Sequence, residues 1–108
     1  MRYQVFLTDD AAYDLGDLYD YIEYHDAPEK AEYVLGKIEE AFSSLADNPE
    51  RGAYPNELQA VGLREYREIY FKPYRIIYRI IAQNVYVMVI ADGRRDMQSL
   101  LQRRLFQP

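Results

Sequence analysis

The chain has 108 residues and a mass of 12.8 kDa, and its 49% hydrophobic and 29% charged residues are typical of one folded domain rather than a disordered chain. With no cysteine and one histidine, it excludes disulfide frameworks, thiol nucleophiles and cysteine-based metal sites, and we expect no metal or other cofactor. The sequence pI near 4.8 argues against a general nucleic-acid binder, because such domains usually have a pI above about 9.

The charge is divided unequally along the chain. Residues 1–50 carry three basic and thirteen acidic side chains, whereas residues 51–108 carry ten basic and five acidic ones. This division predicts either two surfaces with different partners or acidic helices that are neutralised by a basic sheet. No signal-peptide pattern and no run of about 20 apolar residues occurs, so we expect a cytoplasmic protein with no membrane partner.

The first half of the chain predicts a strand followed by a helical hairpin. Residues 3–7 form the strand, and Thr8 caps a helix that runs to about residue 24. A capping box of Asp26 and Glu29 begins a second helix, which extends to about residue 45. The apolar faces of both helices repeat every three or four residues, and the short connection predicts an antiparallel pair.

The second half predicts strands at residues 63–71, 74–81 and 85–90, joined by short turns into an antiparallel meander. On the middle strand, alternate side chains starting from Tyr74 share one face. Asp96 then caps a short terminal helix. We therefore predict a single α+β domain over residues 1–108, with an N-terminal strand, a helical hairpin, a three-stranded meander and a C-terminal helix.

Basic and aromatic side chains alternate in the predicted sheet. Three interpretations of this arrangement stay open. The arginines and tyrosines contact the phosphates and bases of a nucleic acid, they bind an acidic segment of a partner, or they pair with the acidic helices of the same chain. Most of the tyrosines are expected to pack within the protein, except Tyr66, Tyr74 and Tyr78. The carboxylates of the first helix are interpreted as a solvated face, because no calcium-loop pattern accompanies them. The basic set is Arg64, Arg67, Lys72, Arg75, Arg79, Arg94 and Arg95.

Several stretches in this order resemble the ParE/RelE superfamily of toxins from bacterial type II toxin–antitoxin modules. The likeness begins with the acidic hairpin at residues 12–22 and the Leu-Ala-Asp-Asn-Pro-Glu-Arg-Gly segment at 45–52. It continues with Gly-Leu-Arg-Glu-Tyr-Arg at 62–67 and Pro-Tyr-Arg-Ile-Ile-Tyr-Arg at 73–79. The Gly-Arg-Arg-Asp corner at 93–96 and the form of the hairpin resemble the ParE branch in particular.

The resemblance implies one of two activities. RelE-type toxins cut messenger RNA on the ribosome with sheet lysines and arginines and a tyrosine of the terminal helix, whereas ParE-type toxins poison DNA gyrase without an enzymatic step. The second lysine position falls near Glu68 or Ile69 and the tyrosine position is Leu101, so a base and an acid are missing. The residues that match the nuclease pattern are Arg67, Arg75 and Arg95.

We therefore expect a toxin of the plasmid-stabilisation type that inhibits DNA gyrase, has no catalytic residues and is neutralised by a cognate antitoxin. Two alternatives stay open: a RelE-type mRNA endonuclease, and a binding module that is no longer toxic. DNA is expected to be contacted only through the antitoxin or gyrase. The candidate target contacts are Arg94 and Arg95, beside Asp92 where the family often has histidine. The candidate antitoxin contacts are Val34, Ile38, Arg64, Arg67, Arg75, Arg79 and Tyr78.

Overall fold

Four strands form one mixed sheet in the computed structural model, which describes residues 2–106. The strands are β1 (Gln4–Leu7), β2 (Tyr66–Phe71), β3 (Tyr74–Ile81) and β4 (Asn84–Asp92). The sheet order is β1-β4-β3-β2. The predicted meander of β2, β3 and β4 is confirmed, and β1 pairs in parallel with β4. The last strand is longer than predicted, and the first strand of the meander starts three residues later.

Two helices form the predicted hairpin, α1 (Asp9–His25) and α2 (Pro28–Ser43). The hydroxyl of Thr8 accepts a hydrogen bond from the Ala11 amide at 3.1 Å, which confirms the predicted cap of α1. The predicted capping box of α2 is wrong, because the capping position is Ala27 and no side chain caps it. Asp26 instead pairs with Lys30 across 3.4 Å, as residues four apart on neighbouring turns do.

Two further helices lie after the hairpin, α3 (Asn56–Gln59) and α4 (Met97–Phe106). The four residues of α3 were predicted to be loop. The predicted cap of α4 is confirmed, since the carboxylate of Asp96 accepts hydrogen bonds from the amide and hydroxyl of Ser99 at 3.2 and 2.9 Å. Within residues 2–106, no helix has the length and apolar character that a membrane crossing requires.

The sheet has a hydrophobic core on each face. The predicted alternation on β3 explains this, because Ile76 and Tyr78 face the hairpin while Ile77 faces α3 and α4. A bulge in β4 changes its alternation: Ile77 pairs with Val89 and Tyr78 pairs with Val87, so no residue stands opposite the intervening methionine. The helices therefore lie on both sides of the sheet, which places α4 opposite the hairpin.

An ion pair covers the part of β4 that extends beyond β1. Asp14 on α1 accepts a hydrogen bond from the Ile90 amide at 3.0 Å and is paired with Arg104 on α4. Arg104 also donates to the Met88 carbonyl at 3.0 Å. Burial raises the pKa of Asp14, although its hydrogen bonds from Ile90 and Arg104 oppose that shift. These two side chains satisfy strand edge groups and join α1, β4 and α4.

Candidate functional site

Arg75 lies on the face of the sheet that carries α3 and α4, between two carboxylates. It donates to both oxygens of Glu57 at 2.8 Å and to Glu68 at 2.7 Å. The side chains of Arg75 and Glu68 are only 11% and 4% exposed. The bidentate bond to Glu57 is the main cause that raises the pKa of Arg75 and lowers that of Glu57. Three of the five N–H groups of this guanidinium are thus donated to carboxylates of its own chain.

The residues of the expected nuclease pattern do not meet in one site. Arg67 pairs with Tyr78 in the ladder and therefore lies on the opposite face of the sheet from Arg75. It donates to the carbonyls of Glu50 and Gly52 at 3.0 and 2.9 Å, and its guanidinium stacks on a tyrosine ring. Leu101 is 1% exposed in the core beneath α4. Arg67 and Leu101 therefore do not share a site with Arg75.

The Gly-Arg-Arg-Asp corner follows β4, and its two arginines differ in their ion pairing. Arg94 donates to both carboxylate oxygens of Asp92 at 2.9 and 2.6 Å, and this pairing is the main cause that lowers the pKa of Asp92. Arg95 is exposed and makes no ion pair with a described residue. At Gly93, a side-chain carbon would lie 2.8 Å from Arg75, so the close approach requires glycine. Arg94 therefore holds the corner, and Arg95 points a free charge outward.

A cavity of about 450 Å³ opens beside this corner, between α1 and the ends of β3 and β4. Its apolar floor includes Leu18 and Ile90, and its walls include the rings of Tyr21 and Tyr74. Burial, followed by the charge of Asp92, raises the pKa of Tyr74. An apolar cavity rimmed by a few polar groups has the features of a binding site for one side chain of a partner.

Three of the seven expected antitoxin contacts are buried, and a fourth, Arg75, is held between two carboxylates. Val34, Ile38 and Tyr78 are at most 3% exposed in the hairpin core. The hydroxyl of Tyr78 donates to the Pro49 carbonyl at 2.5 Å and accepts from the Gly52 amide at 3.1 Å. These three side chains pack inside the hairpin core, so the surface of this structure does not present them to a partner. Arg75 is likewise occupied by Glu57 and Glu68.

The other three expected antitoxin contacts come together. Arg64, Arg67 and Arg79 line a cleft of about 360 Å³ together with Ile80 and two carboxylates, Glu50 and Glu65. Arg79 is 3.6 Å from Glu65, and both side chains are partly exposed. The cleft thus holds one more cation than anions beside an apolar wall at one end of the sheet, and an acidic segment that binds here competes with these carboxylates for the arginines.

Two functional features were missed from the sequence. Glu57 lies in the stretch predicted as loop, where no pattern indicated its position opposite Arg75. Tyr66 and Tyr78 were expected to be available to a partner but are buried, whereas Tyr13, Tyr21 and Tyr24 are 75%, 61% and 86% exposed. Their positions on the outer face of α1 follow from the same periodicity that places the buried residues of that helix.

Comparison with known proteins agrees with this architecture. Residues 5–97 match the family model described as the ParE toxin of type II toxin–antitoxin systems, parDE. The structure is similar to one described as the chromosomal ParDE system from P. aeruginosa, with a TM-score of 0.71 and 23% identity over 84% of this chain and 96% of that chain. No curated protein sequence matches significantly.

Two RelE-type structures share the fold at lower similarity. The RelBE2 toxin–antitoxin complex from Mycobacterium tuberculosis has a TM-score of 0.56 and is 24% identical over 85% of this chain and 92% of that chain. A double arginine-to-alanine mutant of E. coli RelE in the free state has a TM-score of 0.59 and is 12% identical over 93% of each chain. The match of a ParE family model to most of the sequence, on a fold shared with these structures, shows that the chain belongs to the ParE family of toxins from type II toxin–antitoxin systems.

Proposed function

We propose that this toxin inhibits DNA gyrase in the cytoplasm without an enzymatic step and is neutralised by a cognate antitoxin. The gyrase target rests on the resemblance to the ParE branch. The observation that carries the non-enzymatic part is the pairing of Arg75 with Glu57 and Glu68. That pairing occupies the guanidinium which an RNA-cleaving relative would direct at a phosphate.

RNA cleavage without a metal needs a base for the 2′-hydroxyl, an acid for the leaving oxygen and cations around the phosphorus. Glu68 is the carboxylate at the expected base position, and it is buried against Arg75. Leu101 at the expected acid position carries no proton to donate. Both observations favour an inhibitor over a RelE-type endonuclease.

The target surface that we propose is the Gly-Arg-Arg-Asp corner together with the neighbouring 450 Å³ cavity. Arg95 supplies the free cation, and Arg94 orients the corner through Asp92. Buried anchor side chains and arginines dominate the binding energy of most protein interfaces. This surface offers a cavity that receives an anchor side chain of the partner, and it presents Arg95 as the arginine.

The antitoxin that we propose binds the opposite end of the sheet, in the cleft of Arg64, Arg67 and Arg79. Two solved structures of similar fold are described as ParDE and RelBE2 toxin–antitoxin systems, which supports a partner of this kind. An acidic tail with apolar anchors would match the three arginines and Ile80. DNA contact would then occur only through the antitoxin or gyrase.

A gyrase assay with two matched variants tests this proposal. Purified toxin should inhibit supercoiling and accumulate cleaved DNA bound to gyrase. Arg95→Ala should need about ten-fold more toxin for the same effect while antitoxin binding stays unchanged. Arg64→Ala should weaken antitoxin binding and leave gyrase inhibition unchanged. A toxin that stops growth but leaves gyrase fully active at every concentration would overturn the proposed target.

A further inference from the structure

The outer face of α1 carries three tyrosines and two aspartates that make few contacts inside the chain. We define the tyrosine–aspartate face as Tyr13, Asp17, Asp20, Tyr21 and Tyr24. Steps of three and four residues place these side chains on one side of the helix, away from its buried residues. All five side chains are exposed. Exposed aromatic side chains that cluster on one surface mark an interaction site more often than scattered ones do.

Two of the rings are held in place by His25. The Tyr21 ring stacks on the imidazole with centroids 4.0 Å apart, and the Tyr24 ring packs against it edge-on at 4.9 Å. The imidazole Nδ1 donates to the carbonyl oxygen of Tyr21 at 2.9 Å. The aromatic cluster is thus ordered before any partner arrives, which reduces the entropy that binding would cost.

The acidic charge of this face is not balanced within the described part of the chain. Of the aspartates on α1, only Asp14 forms an ion pair with a described residue. Asp17 and Asp20 lie three residues apart, a spacing at which like charges repel and weaken a helix. Gly16, which lines the same surface, has no atom within 4 Å of the place where a side chain would begin. The repulsion between Asp17 and Asp20 therefore weakens the helix, and no ion pair with a described residue offsets it.

We propose that the tyrosine–aspartate face binds an arginine-bearing segment of a partner protein. A guanidinium stacks on a tyrosine ring and also forms paired hydrogen bonds with a carboxylate, so one arginine side chain uses both components of this face. Lysine offers only a point charge, and nucleic acid would be repelled by the aspartates.

A second copy of this chain fits the face less well than another protein does. Two such faces opposed to each other would bring like charges together. Arg75, Arg94 and Arg104 are also engaged already by their carboxylate pairs. We therefore assign the cations to a different chain, and a second copy is the alternative that the experiment below distinguishes. The face shares Asp17 and Tyr21 with the cavity beside the Gly-Arg-Arg-Asp corner, but the proposal depends neither on gyrase as the target nor on the antitoxin cleft.

Titration of the purified full chain with a short arginine-rich peptide tests the proposal. Nuclear magnetic resonance should show the largest shift changes on α1 and in the rings of Tyr21 and Tyr24. A peptide in which lysine replaces each arginine should bind at least about five-fold more weakly, because lysine lacks the planar guanidinium group. Equal affinity for the two peptides, or shift changes centred elsewhere, would overturn the proposal.

A charge-matched pair of variants separates this face from general attraction to an acidic protein. Asp17→Asn with Asp20→Asn should weaken binding of the arginine peptide about ten-fold. Glu29→Gln with Glu39→Gln removes the same charge from exposed positions on α2 and should change the affinity by less than about two-fold. Equal losses in the two double variants would show that net charge alone attracts the peptide. If the unliganded chain self-associates, and the double variant Asp17→Asn with Asp20→Asn abolishes that association, a second copy is the occupant and the proposal is overturned.

Discussion

Arg75 lies on β3 with 11% of its side chain exposed, and its guanidinium contacts Glu57 and Glu68. A buried carboxylate such as Glu68 is stable in its charged form only next to a cation. The arginine therefore stabilises the fold on the surface where an RNA-cleaving relative would use it for chemistry. At the scale of single residues, this pairing is the observation on which we base the proposal of an inhibitor over a nuclease.

Removal of Arg75 should destabilise the protein strongly. Arg75→Ala leaves the carboxylate of Glu68 buried without a partner, and we expect a loss of about 3–5 kcal/mol in the free energy of unfolding. Arg79→Ala is the control, because its pair with Glu65 is partly exposed and should contribute less than about 1 kcal/mol. Urea unfolding of both variants measures the difference. Similar losses in the two variants would contradict the role assigned to Arg75.

The pair of Glu57 and Arg75 should also make stability depend on pH. Arg75 lowers the pKa of Glu57 below its ordinary value of 4.5, so the folded state favours the ionised form. Its contribution is present at neutral pH and is lost as the pH falls through the lowered pKa. Urea midpoints of wild type and Glu57→Gln should therefore differ at neutral pH and converge as the pH falls through this lowered pKa. A difference that stays constant over this range would contradict the assignment.

The sequence indicated some of these residues and missed the interactions that determine their roles. The replacement of an expected tyrosine by Leu101 was visible directly and excluded an acid at that position. The pairing of Glu57 with Arg75 was not visible, because it joins two residues 18 positions apart through an irregular segment. The burial of Val34 and Ile38 follows from the helical period of α2. The same period is compatible with a face packed in the core and with a face that lines a groove for a partner, so it did not distinguish the two.

At the scale of elements, two glycines should respond in opposite directions to the same substitution. Gly16 is in the interior of α1 with open space around it, so Gly16→Ala should stabilise the protein by about 1 kcal/mol. At Gly52 the added carbon would lie 2.8 Å from the Glu68 carbonyl and against the Tyr78 hydroxyl. Gly52→Ala should therefore destabilise by about 1–3 kcal/mol. Melting temperatures that shift in the same direction for both variants would contradict this packing.

The hairpin and the meander were predictable because their periods of about 3.6 and two residues extend over long segments. The short α3 carries too few residues for a period to be detected. The bulge of β4 was equally hidden, since one unpaired residue changes the alternation without a characteristic residue type. The parallel pairing of β1 depends on the whole chain and is not a local property of residues 3–7.

At the scale of the whole molecule, the division of charge suggests that the basic cleft guides the antitoxin towards the toxin. We expect higher salt to slow association several-fold and to leave dissociation almost unchanged, because apolar anchors hold the complex once formed. Arg64→Ala should reduce the salt dependence of the association rate, whereas the exposed control Arg95→Ala should not. Surface plasmon resonance at several salt concentrations measures both rates. A complex that dissociates at moderate salt would contradict the anchored arrangement.

We propose that this ParE-family toxin acts without cutting RNA. The most direct measurement maps the ends of messenger RNA after translating ribosomes are incubated with purified toxin. We expect no new messenger RNA ends at codon positions, because Arg75 is held by Glu57 and Glu68 and Leu101 supplies no acid. Codon-specific cleavage that Arg75→Ala or Arg95→Ala abolishes would contradict it.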